Sequence, residues 1–304
     1  GAVRLRESSE DTGGEDNEMK RKQFDIILST VTVFLTIALV PLIFSGNIFK
    51  PFIDSFADLA VTDYHYSELL SDEYRADTNI IVINTLGADA EQFVQMFAYI
   101  NQFNYKAIGF TEVPDFSGQP ELGQFFAELL REAHSPVLPA ELKSFDKSAG
   151  TYTYVERPEI PAVAYGYSNL LIGKDKETST VRDYCPSVQI GNENIMPLGV
   201  ALANQFNPEA VKRLAERGNS TETICYHAKL GANMILFDLS NISNADSNAL
   251  DGKVVLFGKV NFDAIDGGHL HLLNDIYYTP LNEKAGGRAF PDSYAIEVQA
   301  NILS

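Results

Sequence analysis

A stretch near the C-terminal end, Gly252 to Pro280, combines residue types that can bind a metal ion. His269 and His271 are two residues apart, so in an extended segment their imidazoles point to the same side. Asp266 and Asp275 are close in sequence, and imidazole with carboxylate can bind zinc or another divalent cation. The same composition is common in surface loops, and zinc sites follow a tighter spacing. We therefore predict that this stretch binds no metal and that the protein has no cofactor. If a metal were bound, these four residues would be the candidate ligands.

The same stretch contains the Gly-Lys pair of a phosphate-binding loop but lacks the rest of that motif. A Walker loop has a glycine five residues before the pair and a Ser or Thr after it. Counting from Gly258 and Lys259, those positions hold Lys253 and Val260. The chain also has no Gly-x-Gly-x-x-Gly turn for a dinucleotide. These two nucleotide-binding motifs are therefore excluded.

Two basic side chains are the candidates for binding a ligand. Arg182, in the segment TVRDY, has a guanidinium group that suits a ligand carboxylate and equally suits a structural salt bridge. Lys259 follows the apolar run VVLF, and open α/β sheets bind ligands beyond the carboxyl ends of their strands. The alternative role for Lys259 is solubility, which lysines at strand ends commonly provide. The chain has no Gly-x-Ser-x-Gly elbow and no recognisable triad, so we predict that it is not an enzyme.

The elements that must position these residues alternate between strand and helix. The apolar runs NIIVIN (79–84) and KAIGFTE (106–112) predict strands, and Phe93, Phe97 and Ile100 recur between them at helical spacing. PELGQFFAELLREAH predicts a second helix, and PVLPAEL predicts a third strand. The closing segment SYAIEVQANILS predicts a short amphipathic helix. The order indicates an α/β fold with a largely parallel, mixed central sheet flanked by helices.

An apolar segment near the N-terminus predicts a membrane anchor. Residues 26–44 carry no charge over 19 positions, close to the length that spans about 30 Å of hydrocarbon. Basic residues at 20–22 precede it, which places the N-terminus in the cytoplasm. A cleaved signal peptide is the alternative, but Phe44 stands where cleavage needs a small residue. We predict a disordered cytoplasmic tail (1–22), one transmembrane helix (23–45) and one extracytoplasmic α/β domain (46–304).

The net charge of the chain limits the classes of partner that it can bind. The net charge is −18, and the body from residue 45 onward carries 18 basic and 34 acidic side chains. Such a surface repels phosphate backbones, so we predict no nucleic-acid partner. Cys185 and Cys225 would lie in a compartment that permits disulfides. Two alternatives stay open, a disulfide bond between these cysteines or two free, buried thiols. The sequence does not show whether the two residues are close enough to bond.

Six segments follow one another along the chain: DTNIIVINTLG, YKAIGFTEV, TSTVRDY, LDGKVVLFGKV, DIYYTPL and FPDSYAIEVQANIL. Their patterns and their order resemble those of the CHASE type 2 family of bacterial extracytoplasmic sensory domains. The family's first strand is similar to DTNIIVINTLG, although Asn84 and Thr85 stand where an aspartate is common. YKAIGFTEV resembles a second family strand, with Glu112 in place of aspartate. The remaining similar segments are TSTVRDY around Arg182, LDGKVVLFGKV, DIYYTPL and FPDSYAIEVQANIL. The resemblance covers the chain from about residue 55 to its end.

The resemblance implies a sensory function at the bacterial inner membrane, with the main domain in the periplasm. The domain would bind a small ligand or an envelope partner and relay its state, within a homodimer, to an output domain absent from this chain. Family members usually continue into further membrane helices, so we expect the protein to continue past Ser304. The alternative is a structural or accessory subunit of an envelope membrane-protein complex that docks through its acidic domain.

Overall fold

The computed structural model describes residues 21–37, 77–146, 151–158, 160, 164–170, 180–227, 229–230, 234–261, 276–281 and 293–304. The chain divides into two compact units, Gly1–Asp58 and Leu59–Ser304. The four candidate metal ligands, Asp266, His269, His271 and Asp275, lie outside the described residues. So does the predicted tail up to residue 20.

In the first unit, residues 21–37 form a helix, α1, whose side chains are exposed all round. Large apolar side chains are among them, with Ile26 64% and Phe34 68% exposed. The hydroxyls of Ser29, Thr30, Thr32 and Thr36 donate to backbone carbonyls three or four residues earlier. Among the helices that the structure describes, none has the length and apolar character needed to cross a membrane.

The second unit is built on a mixed, mostly parallel sheet. The strands of the unit are β1 (Asp77–Asn84), β2 (Ala107–Phe110), β3 (Pro136–Asp146), β4 (Thr151–Glu156), β5 (Ala164–Tyr167), β6 (Asp183–Tyr184), β7 (Val188–Ile190), β8 (Glu193–Ile195), β9 (Glu222–Thr223), β10 (Met234–Asp238), β11 (Val254–Gly258), β12 (Ile276–Tyr277) and β13 (Ser293–Tyr294). The main sheet has the order β10-β1-β11-β2-β3-β4, and β5 also pairs with β3. Only the β3–β4 pair in it is antiparallel among the described pairings. The short strands form three antiparallel pairs, β6–β9, β7–β8 and β12–β13.

Helices cover both faces of this sheet. The described helices of this unit are α2 (Ala90–Ile100), α3 (Pro120–Glu132), α4 (Leu198–Phe206), α5 (Pro208–Glu216), α6 (Ser247–Leu250) and α7 (Ala295–Leu303). Alternate residues of β1 and β11 join different apolar clusters because successive strand residues point to opposite faces. On one face, α2 and α3 contribute Phe93, Phe97 and Phe126, which pack against Phe110 and Phe257. On the other, α4 and α7 pack on the sheet.

The predicted α/β class with a mostly parallel, mixed sheet is confirmed, but the character of the last helix was predicted wrongly. Residues 295–301 of α7 are all buried, including Glu297, Gln299 and Asn301. Each of these three side chains accepts a backbone N–H from another segment, at 2.9 to 3.0 Å. Those bonds compensate the buried polar groups, so residues 295–301 of α7 have no solvent-exposed face.

Candidate functional site

A cleft opens where the parallel strands β2 and β5 end and β3 continues past them. Its larger part is a cavity of about 930 Å³, lined by residues that follow β2, by α3 and by β3 and β4. A neighbouring cavity of about 490 Å³ shares four of its lining residues, Thr111, Glu112, Glu141 and Ser168. We call the two together the carboxyl-edge cleft. Carboxyl ends of parallel strands are where open α/β sheets bind ligands.

The floor of the cleft is apolar and rigid. Its lining includes Phe116, Ile160 and the prolines at 114, 120, 139 and 158. Each proline fixes one backbone dihedral, so less freedom remains to be lost when a ligand binds. The ring of Phe116 lies 5.3 Å from that of Phe126. It packs directly on α3, because a Cβ at Gly123 would lie only 2.9 Å from the Phe116 Cβ.

One wall of the cleft carries two carboxylates that face each other across the β3–β4 pair. Glu141 is the register partner of Glu156. Lys143 lies between them, with its Nζ 2.6 Å from Glu141 and 3.3 Å from Glu156. The hydrogen bond to Glu141 is the main reason that the pKa of Lys143 is raised. The wall is therefore an exposed cluster of two negative charges and one positive charge.

The opposite charge in the larger cavity comes from Arg157, which the sequence analysis did not identify. Its guanidinium pairs with both carboxylate oxygens of Glu193 and lies 5.4 Å from the ring centre of Tyr165. The hydrogen bond from Arg157 lowers the pKa of Glu193. Arg157 is thereby fixed against the side of the cleft by a residue of β8. The sequence offers one signal for it, because Arg157 directly follows TYTYVE, a run of β-branched and aromatic residues typical of a strand.

Lys259 lies at the carboxyl edge, as its position after a strand predicted. Its Nζ is 2.7 Å from Oε2 of Glu112, which follows the neighbouring strand β2 and lines both cavities. Lys259 itself is not among the described lining residues of either cavity. Its contact with the cleft is therefore made through Glu112.

Arg182 occupies a different part of the unit. Its carbonyl accepts the backbone N–H of Ile224 at 2.8 Å, next to the short pair β6–β9. Asp183, beside it, accepts a hydrogen bond from the hydroxyl of Thr223 at 2.8 Å. Among the described residues that line the carboxyl-edge cleft, Arg182 does not appear. The two basic residues proposed from sequence thus do not form a common site in the described structure.

Asn84, at the end of β1, joins two neighbouring parallel strands. Its side-chain amide donates to the carbonyl of Val260 at 2.9 Å and accepts the Val260 N–H at 2.9 Å. Its oxygen also accepts the N–H of Leu86 at 3.0 Å. The side chain of Asn84 therefore fixes the backbone at Val260, the residue that directly follows Lys259.

The remaining sequence candidates concern thiols and metal ligands. Cys185 and Cys225 are not bonded to each other. Cys185 is half-buried, and burial raises the pKa of its thiol, whereas Cys225 is exposed. The expectation of buried thiols is therefore wrong for Cys225. Within the described ranges, no group of three or more His, Cys, Asp or Glu side chains could hold a metal ion.

Comparison with protein-family models, with curated proteins and with solved structures finds no match to this chain. The resemblance to the CHASE type 2 family therefore stays a prediction from local sequence patterns. The function of the cleft therefore has to follow from the chemistry of its lining residues.

Proposed function

We propose that the second unit is a sensory domain that binds a small molecule in the carboxyl-edge cleft. The observation that carries this proposal is the cavity of about 930 Å³, within the range of about 300–1,000 Å³ typical of ligand pockets. Its lining combines apolar side chains and four prolines with a few charged groups, which is the usual composition of such pockets.

A path from the cleft to the last helix supports a relay role. Ala295, the first residue of α7, and Tyr277 of β12 line the smaller cavity. Gln299 of α7 donates to the carbonyl of Ser168, a residue of both cavities, at 3.3 Å. A ligand that extends into the smaller cavity would therefore contact α7 directly. A ligand shifts a two-state equilibrium only through different affinities for the two states, and α7 is the element through which such a difference would leave the domain.

The membrane setting of this proposal comes from the sequence. Residues 23–45 would form a single anchor in a bacterial inner membrane, with the N-terminus cytoplasmic and the sensory domain extracytoplasmic. Nineteen uncharged positions at 26–44 support this placement. So do the bonds from the Ser and Thr hydroxyls of α1 to its own backbone, because apolar surroundings offer no water to satisfy them. The output domain, in a homodimer, would lie outside this chain.

Filling the cavity tests the binding part of the proposal. Ala127 of α3 lines the larger cavity, so Ala127→Trp should occupy it. Native mass spectrometry of the gently extracted protein should show a bound small molecule that Ala127→Trp loses. Ala215→Trp, at an exposed position of α5, is the matched control and should retain it. Equal retention by both variants would place the ligand elsewhere.

The intact mass of the protein from its native membrane tests the relay part. A mass well above 33.6 kDa would mean that the chain continues into an output segment, as a sensor requires. A mass near 33.6 kDa, with other membrane proteins bound in fixed ratio, would contradict the self-contained sensor. It would support the alternative, an accessory subunit that docks through its acidic surface.

A further inference from the structure

We infer that the carboxyl-edge cleft selects an organic cation, a primary amine attached to an apolar body. This inference rests on the proposed ligand-binding role of the cleft and adds the chemical class of the ligand. It follows from three features of the lining: an unbalanced charge, a strained pair of carboxylates and an apolar surface beside them.

The charges of the cleft do not balance. Two ion pairs balance in charge, Lys259 with Glu112 and Arg157 with Glu193, although the buried Nε of Arg157 has no hydrogen-bond partner among the described residues. The rest of the charged lining consists of Asp115, Glu141, Glu156 and Lys143. Among the described lining residues of the cleft, these three carboxylates with one ammonium leave a net charge of −2. A cationic ligand would be attracted by this charge and an anionic ligand repelled.

The arrangement of Glu141 and Glu156 is unfavourable without a cation. They are directly opposite each other in an antiparallel pair, where like charges destabilise the sheet. One lysine lies between them and neutralises only half of their charge. Departures from a local rule concentrate at functional sites, where a partner compensates them. A second ammonium group, supplied by a ligand, would provide that compensation.

The apolar lining explains why the cation should be organic. The same cavity that contains Glu141 and Glu156 contains Phe116, Pro139 and Ile160. These side chains offer no oxygen or nitrogen ligand to a bare metal ion, but they can bury a hydrocarbon group. A molecule with an ammonium group at one end and an apolar body at the other matches both surfaces.

Three fluorinated probes of the same shape separate charge from shape. They are 4-fluorobenzylamine, 4-fluorobenzyl alcohol and 4-fluorobenzoate, which are cationic, neutral and anionic at pH 7. In fluorine NMR, adding the full chain should broaden the signal of the amine most, that of the alcohol less and that of the benzoate least. Replacing Glu156→Gln should raise the Kd of the amine roughly three- to fivefold, the effect of one exposed ion pair, and leave that of the alcohol unchanged.

Two further variants guard against misfolding and non-specific attraction. Glu216→Gln removes the same charge from an exposed position of α5 and should change nothing. Lys143→Gln removes the competing ammonium and should tighten amine binding roughly threefold, a gain that damage to the fold does not produce. Preferred binding of the alcohol or benzoate would overturn the cation inference while leaving a ligand-binding cleft. Absence of broadening with all three probes would count against both proposals.

Discussion

At the scale of single residues, Asn84 shows how one amide can do what a carboxylate cannot. Its nitrogen donates to the Val260 carbonyl while its oxygen accepts the N–H groups of Val260 and Leu86. An aspartate, which the similar family strand commonly has here, could still accept both N–H groups. Its second oxygen, however, would face the carbonyl of Val260. The side chain at this position therefore has to be a donor as well as an acceptor.

We expect Asn84→Asp to destabilise the protein by about 1–3 kcal/mol, the cost of leaving a buried acceptor without its donor. Urea denaturation of the full chain measures the free energy of unfolding. Asn194→Asp, at an exposed position of β8, introduces the same charge and should change stability by no more than about 0.5 kcal/mol. Equal effects of the two variants would show that the donor to Val260 contributes nothing specific.

At the scale of elements, the start of α2 controls the packing of one face of the sheet. Asp89 accepts the N–H of Gln92 at 2.8 Å, and Gln92 in turn accepts the N–H of Asp89 at 3.0 Å, a complete capping box. The helix that begins here places Phe93 and Phe97 in the aromatic cluster, 5.7 and 6.2 Å from the ring of Phe257. The cap thus fixes the direction in which these rings enter the core.

Asp89→Ala should lower the free energy of unfolding by about 1 kcal/mol, the usual cost of removing an N-cap acceptor. Asp89→Asn keeps the acceptor and should restore most of that loss. Thermal unfolding of the two variants and the unchanged chain gives the comparison. If Asn and Ala were equally destabilising, the negative charge near the helix N-terminus, and not the hydrogen bond, would be the stabilising factor.

Elements and site differ in how far the sequence predicts them. The apolar runs of β1, β2 and β11 and the helical spacing of Phe93 and Phe97 are local patterns, and the structure confirms them. The cleft depends on pairs that are distant along the chain, such as Glu112 with Lys259, which are 147 positions apart. Such pairs can be identified only once the strand order is known. The polar residues of α7 misled the prediction because their partners are backbone groups of other segments.

At the scale of the whole molecule, two electrostatic effects oppose each other. The excess of negative charge, −18 over the chain, repels itself and favours expansion. Ion pairs such as Lys143–Glu141, Arg157–Glu193 and Lys259–Glu112 oppose it, but in each one side chain is more than half exposed (52%, 55% and 52%). Exposed pairs of this kind contribute about 0–1 kcal/mol. Self-repulsion should therefore be the larger effect.

We accordingly expect the melting temperature at pH 7 to rise when sodium chloride is increased from 0.01 to 0.15 M. The Debye length then falls from about 30 to about 8 Å, which screens repulsion across the molecule more than contacts at ion-pair distance. A gain of about 1 kcal/mol would raise Tm by about 2–4 °C in a domain of this size. Near pH 4.6, where the net charge vanishes, the same salt increase should have no stabilising effect, which provides the control. A melting temperature that falls with salt at pH 7 would mean that the ion pairs around the cleft outweigh the repulsion.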